Sequence, residues 1–228
     1  MAITYTDIAK MIDHSLLQQQ LTDEQLKAGC QLALDYDVAS VCIKPYYLKR
    51  CAELLAGSTV KASTTIGFPH GGHLTKIKVA EAEAALDDGG QELDMVVNIG
   101  KVKSGDWDFV AADIKAVNDA TVADGQLLKV IFENCFLSDE EKIKLCEICG
   151  ELNVAFVKTS TGYGEDGATI EDLTLMRKHS PDHVQVKAAG GVRDFDKILQ
   201  VREIGVARVG ASRTKDMLDE CRQRLSDS

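Results

Sequence analysis

The sequence predicts an α/β fold, a single-domain (β/α)8 (TIM) barrel over residues 1–228 with a short N-terminal helix. Three observations carry that prediction. Short apolar or alternating runs recur eight times, amphipathic stretches separate them, and the glycines gather after the last runs rather than after the first. Strands alternating with helices imply parallel βαβ units, and eight of them in one unit point to closure. An open doubly wound sheet is the competing arrangement, but its glycine fingerprint belongs after the first strand.

The strand runs are IDHSLL from Ile12, SVCIK from Ser40, VKASTTIG from Val60 and ELDMVVN from Glu92, then LLKVIFEN from Leu127, AFVKTS from Ala155, VQVKAAG from Val184 and ARVGAS from Ala207. Between them, Thr22 with Gln25 and Ser138 with Glu141 have the spacing of helix capping boxes. In LTKIKVAEAEAALDD, residues Leu74, Ile77, Ala80 and Ala84 fall along one side at helical spacing, the expected buried face. Leu145, Ile148, Cys149 and Leu152 likewise share a face, so the Cys146–Cys149 pair reads as helix packing rather than a redox or zinc motif. The HGGH stretch from His70 has no clear third ligand and reads as a loop with a glycine turn; no metal is expected.

Composition narrows the partners. A net charge of −10 argues against non-specific binding to nucleic acid or an anionic membrane. No apolar run reaches membrane-spanning length, and MAITYTDIAK lacks the pattern of a signal peptide. Seven cysteines, an odd number in a chain of this size, imply reduced thiols and a cytoplasmic location.

Strand alternation then places charge where a core is expected. In VQVK the valines suit the helix side and leave Gln185 and Lys187 pointing inward; Asp94 shares a face with Val96 and Asn98, and Phe156 with Lys158. Asp94, Lys158 and Lys187 should therefore face the axis from strands four, six and seven. Active sites of such barrels form at the C-terminal strand ends. A buried lysine beside a second cation loses proton affinity, so it can be a neutral amine that attacks a carbonyl to form an imine, with Asp94 relaying protons. These residues alone do not choose between Lys158 and Lys187 as nucleophile. A structural Asp–Lys ion pair at the barrel mouth is the plain alternative.

Glycines supply the second clue. Gly190 and Gly191 follow strand seven, and Gly210, Ala211 and Ser212 follow strand eight. Loops at these two places commonly bind phosphate in this fold, and Arg193 and Arg213 lie near enough in sequence to add charge.

The motifs IDHSLL, TIGFPHGG, ELDMVVNIG, LKVIFEN, FVKTSTGY, VKAAGGVR and RVGAS, in this order over nearly the whole chain, resemble the 2-deoxyribose-5-phosphate aldolase family of class I, Schiff-base aldolases. The resemblance implies a lyase that reversibly cleaves 2-deoxy-D-ribose 5-phosphate to D-glyceraldehyde 3-phosphate and acetaldehyde in deoxynucleoside catabolism. It implies Lys158 as the imine-forming residue, Lys187 as the neighbour that lowers its proton affinity and shares in proton transfer, and Asp94 in the proton relay. It also implies phosphate binding by Gly162, Gly190, Gly191, Gly210 and Ser212, no cofactor, and a homo-oligomer. Two departures stand out: Arg213 replaces a second serine after G-A-S, and Lys44 stands where tyrosine or asparagine is commoner. By parity Lys44 and Cys42 face one way, so these two, with Asp13, are candidates for the site mouth, and for Lys44 a solvated lysine on the rim is the favoured alternative. The QRLSDS end lacks a C-terminal tyrosine that some members use near the phosphate. Other readings of the same residues are a phosphosugar isomerase or decarboxylase that forms no imine, a related aldolase with shifted substrate preference, and a silent phosphosugar-binding protein.

Overall fold

All eight strand runs form strands, and they pair in sequence order. They are β1 (Ile12–Leu16), β2 (Ser40–Ile43), β3 (Lys61–Ile66), β4 (Glu92–Val96), β5 (Leu127–Ile131), β6 (Phe156–Lys158), β7 (Gln185–Ala189) and β8 (Arg208–Ala211). Each is parallel to its neighbours, and β8 returns to β1 with Gly210 opposite Asp13, closing the barrel. The computed structural model describes residues 3–226; the last two positions of the QRLSDS end lie outside the described residues.

Ten α-helices accompany the strands among the described residues: α1 (Tyr5–Ala9), α2 (Asp23–Asp35), α3 (Leu48–Leu55), α4 (Thr75–Asp87), α5 (Ile99–Lys103), α6 (Trp107–Ala123), α7 (Asp139–Glu151), α8 (Ile170–His179), α9 (Phe195–Ile204) and α10 (Thr214–Ser226). The short N-terminal helix is α1, with a Thr4/Asp7 capping box, and it packs against α10. Both predicted capping boxes, Thr22/Gln25 on α2 and Ser138/Glu141 on α7, are formed. In each, a hydroxyl and a carboxyl or amide satisfy N–H groups that the first helical turn leaves without partners. No described helix is long and apolar enough to cross a membrane.

The apolar core lies between barrel and helices. Val41, Leu93, Met95, Leu128, Val130, Val157, Val186 and Val209 belong to it, all buried on the helix side of their strands. Residues between them point to the axis, and there the barrel is polar: Asp13, Ser40, Ser63, Glu92, Asp94, Lys129, Lys158 and Lys187 are all buried. Such an interior is tolerable only where its charges are paired.

Two local readings meet the structure differently. The cysteines of α7 are both buried, and burial pushes the Cys146 thiol up to about 11 and the Cys149 thiol well above its usual value, as packing groups should behave. The face of α4, however, is reversed. Its buried residues are Lys78, Ala82 and Ala85, while Leu74 is 64% and Ile77 43% exposed. The cause is Lys78, whose ammonium reaches the Val96 carbonyl at 2.9 Å and the Asp113 carboxylate of α6 at 2.6 Å. Periodicity counts a lysine as a surface residue and so set the phase of the helix wrongly. The His70–His73 segment is a turn, in which a β-carbon on Gly71 would lie 1.8 Å from the Val97 carbonyl oxygen.

Candidate active site

Seven charged side chains meet inside the barrel. Lys158 of β6 and Lys187 of β7 each donate to Oδ2 of Asp94 at 2.8 Å, and Lys129 of β5 donates to Oδ1 at 3.0 Å. Lys129 also bonds Glu92 at 2.6 Å. Lys187 pairs with Asp13 at 2.6 Å, and Arg208 joins Asp13 at 2.6 Å to Glu92 at 3.0 Å. Parallel pairing produces this assembly: Asp94 lies opposite Lys129, and Lys158 opposite Lys187, in adjacent strands.

The charges do not cancel. Four cations (Lys129, Lys158, Lys187, Arg208) face three carboxylates (Asp13, Glu92, Asp94). One cation is therefore in surplus, and the lysine with the fewest anionic contacts should yield its proton. Lys129 and Lys187 each contact two or more carboxylates, whereas Lys158 has only Asp94, which it shares. Burial lowers the Lys158 pKa below that of an ordinary lysine; Asp94 offsets this in part, and Lys187 lowers it further. Burial acts on Lys187 too, but Asp13 and Asp94 outweigh it and hold its pKa above the usual value. Burial alone would raise Asp94, yet the three lysines hold it well below the carboxylate range. Two lysines that the sequence left equivalent are thus distinguished: Lys158 is the poor proton holder and Lys187 the persistent cation.

Above this cluster opens a cavity of about 280 Å³, whose lining includes Asp13, Cys42, Lys158, Lys187, Gly162, Gly190, Gly210 and Ser212. Six of the residues singled out in the sequence for binding or the site mouth thus share one wall with the two lysines. Asp13 and Cys42, however, are buried beside the lysines rather than at the mouth. Burial and the Asp94 charge raise the Cys42 thiol, so it stays protonated. Asp94 lies beneath the cavity wall and reaches its contents only through Lys158 and Lys187.

Three expected residues stand elsewhere. Arg213 is exposed and pairs with Asp216 at 3.0 Å on the first turn of α10, so it does not line the cavity. Lys44 donates instead to the Gln18 and Gln19 carbonyls at 2.7 and 2.9 Å, tying down the loop after β1. Lys44 lies one residue beyond the end of β2, and those two carbonyls hold its ammonium. Gly191 is exposed beside Gly190 and is not part of the lining.

The loops around the cavity are held by close backbone contact. Gly162, Gly190 and Gly191 have φ of +86°, +75° and +84°, a region open to glycine. Gly190 also touches Gly167 of the loop after β6 so closely that a β-carbon on Gly167 would lie 2.6 Å from the Gly190 carbonyl carbon. Glu133, itself left-handed at φ +58°, accepts from the Thr161 amide at 3.1 Å and from its hydroxyl, fixing the segment that carries Gly162.

Sequence reasoning missed Lys129, Glu92 and Arg208. The signal was available: Glu92 is two residues before Asp94, Arg208 two before Gly210, and both follow the same inward alternation. A count of inward charges over all eight strands would have found them.

Comparison with known proteins agrees with this geometry. The family model described as DeoC/LacD family aldolase matches residues 8–215. A deoxyribose-phosphate aldolase of Rhodopirellula baltica is 64% identical over 221 residues, covering 97% of this chain and 92% of the relative. The crystal structure of a putative deoxyribose-phosphate aldolase from Coccidioides immitis superposes with a TM-score of 0.93 at 35% identity, covering 97% of this chain and 88% of that one. A tetrameric deoxyribose phosphate aldolase from Aeropyrum pernix gives a TM-score of 0.89 at 26% identity over 97% of this chain and 93% of that one. A polar barrel interior with one under-paired lysine, a glycine-walled cavity above it, and relatives matching nearly end to end converge on one assignment: the chain belongs to the DeoC/LacD family of aldolases.

Proposed function

We propose that this protein is a Schiff-base aldolase that reversibly cleaves 2-deoxy-D-ribose 5-phosphate to D-glyceraldehyde 3-phosphate and acetaldehyde, in the catabolism of deoxyribose phosphate. The observation that carries this reading is the contrast within the cluster: Lys158 touches one carboxylate, Asp94, which it shares, whereas Lys187 beside it touches two, Asp13 and Asp94.

The substrate phosphate rests against Gly162, Gly190, Gly210 and Ser212, and the aldehyde points down to Lys158. The neutral amine adds to C1, and loss of water with uptake of one proton from cavity water leaves a protonated imine, a proton returned when the imine is finally hydrolysed. That imine accepts the electron pair of the C2–C3 bond as the C3 hydroxyl proton leaves, by way of a water, for the Asp94–Lys187 pair. D-Glyceraldehyde 3-phosphate departs, and the remaining enamine is protonated at C2 and hydrolysed to acetaldehyde. The lysine supplies the electron sink for which other aldol chemistry uses a metal. Lys187, paired with Asp13 and Asp94, stands as a cation beside the free Lys158 amine and so keeps it neutral for the attack. Self-association, the state named for the Aeropyrum pernix protein, would find an apolar face in the exposed Leu74, which caps α4, and Ile77 in its first turn.

Reduction with borohydride in the presence of acetaldehyde should leave a two-carbon adduct on Lys158, located by peptide mass mapping. An adduct on Lys187 would exchange the two roles, and no adduct on either would end the imine mechanism. The pH profile gives an independent check. The reactive form is the neutral amine, so kcat/KM should rise with pH through the depressed Lys158 pKa, with its rising limb below the 10.5 of an ordinary lysine. A limb centred at that ordinary value would contradict the electrostatic argument.

A further inference from the structure

Beside the substrate cavity lies a second, mostly apolar one of about 280 Å³, with Leu17, Pro45, Tyr46, Phe68, Pro69 and Tyr163 in its wall. Two of its four polar members are already engaged: the Glu81 carboxylate accepts from the Gly67 amide at 2.7 Å, and Lys44 donates to the two carbonyls described above, while Gln19 and Thr65 complete the polar part of the lining. Only Leu17 and Tyr163 line both spaces. The annex includes Thr65 of β3, and β3 stands across the barrel from the glycine loops after β7 and β8.

Tyr163 is the partition. Its hydroxyl donates to the Leu17 carbonyl at 2.6 Å, spanning from the loop after β6 to the loop after β1. Its ring meets Phe68 edge-on with centroids 5.5 Å apart. Its own amide donates to the Thr161 hydroxyl at 2.9 Å, and Thr161 is fixed in turn by Glu133. The ring is thus tethered at both ends, and it is the side chain that separates a polar cavity from an apolar one.

We propose that Tyr163 sets the size limit on the aldehyde that condenses with Lys158, by closing off an annex that would otherwise take an apolar chain. The chemical class concerned is the straight-chain aliphatic aldehyde, its carbonyl carbon on Lys158 and its hydrocarbon tail in the annex. This rests on the imine mechanism proposed above. The chemistry is unchanged: the amine and the aldehyde carbonyl form an imine with loss of one water, and no further reactant is needed. Specificity then comes from a wall rather than from a repelling charge, which makes it removable by truncation.

The test is competitive trapping. The protein is reduced with borohydride, which delivers hydride to the imine carbon, in an equimolar mixture of acetaldehyde and hexanal. The ratio of six-carbon to two-carbon adducts on Lys158 is read by peptide mass. Tyr163→Ala should raise that ratio about tenfold or more over the unaltered protein, the scale of discrimination that a few methylenes in an apolar pocket provide. Tyr163→Phe keeps the ring and loses only the tether to Leu17, so it should raise the ratio by a smaller amount, about two- to threefold. If the ratio stays unchanged in both variants while the two-carbon adduct still forms on Lys158, the partition is not the limit and the proposal falls. If neither aldehyde is trapped on Lys158 in the unaltered protein, the imine mechanism itself falls and takes the proposal with it.

Discussion

Lys158→Leu should lower kcat for cleavage of 2-deoxyribose 5-phosphate by roughly 10⁵-fold or more, the scale seen when a covalent nucleophile is removed. The protein should nevertheless fold as well as before, or better. Lys158 is the one amine of the buried cluster without a carboxylate of its own; without it, Lys129, Lys187 and Arg208 face Asp13, Glu92 and Asp94 in equal number. Leucine also replaces a side chain only 3% exposed, so nothing apolar is newly presented to water. Exchange of a buried charge for a hydrophobic side chain of similar bulk is often neutral or stabilising. Steady-state kinetics and thermal unfolding on the same preparation separate the two effects. Substantial turnover in the purified variant, or a large fall in Tm, would each contradict the role given to this lysine.

Asp94→Asn should do the reverse and harm both properties. The carboxylate accepts from Lys158 and Lys187 through one oxygen and from Lys129 through the other. An asparagine presents one acceptor, and its amide hydrogens would face a cation. Lys129, Lys187 and Arg208 would then share two carboxylates, Asp13 and Glu92, in the buried interior of the barrel. Breaking a buried pair in this way costs about 3–5 kcal/mol, and losing a proton relay costs about 10²–10⁴-fold in kcat. Binding of inorganic phosphate, measured as competitive inhibition, should change little, because Asp94 does not line the cavity that Gly190, Gly210 and Ser212 wall. An unchanged kcat would remove Asp94 from the relay; an unchanged midpoint of denaturation would show that the cluster is less tightly coupled than its distances imply.

The barrel was legible because parallel strands buried on both faces produce a strong apolar rhythm, and all eight runs became strands. The inward charges were legible for a related reason. Lys158 ends an apolar run, and Lys187 alternates with two valines, so each violates its surroundings in a way period-two reasoning detects. Lys129, Glu92 and Arg208 obey the same rule, but each opens or interrupts a run in a place where charge is commonplace, and they were passed over. Helix α4 failed for the opposite reason: a lysine that looks like surface is completely buried, because Asp113 on a helix 35 positions away meets it. Where Lys44 and Arg213 end up was not legible at all. Long flexible side chains go to the nearest acceptor, here two loop carbonyls and Asp216, and that choice depends on neighbours that strand parity does not reveal.

The contact between Gly167 and Gly190 also bears on how this protein tolerates change. Each backbone occupies the place where the other's β-carbon would stand, at 2.6 Å from one side and 2.9 Å from the other. Neither position can drift singly, and no compensating substitution at its partner relieves the clash, because the obstacle is main chain. A randomised library that includes either codon would spend nearly all its members on chains that cannot seat the loop after β7. Gly72, around which a β-carbon would meet nothing within 4 Å, is the glycine at which such a library has room to explore.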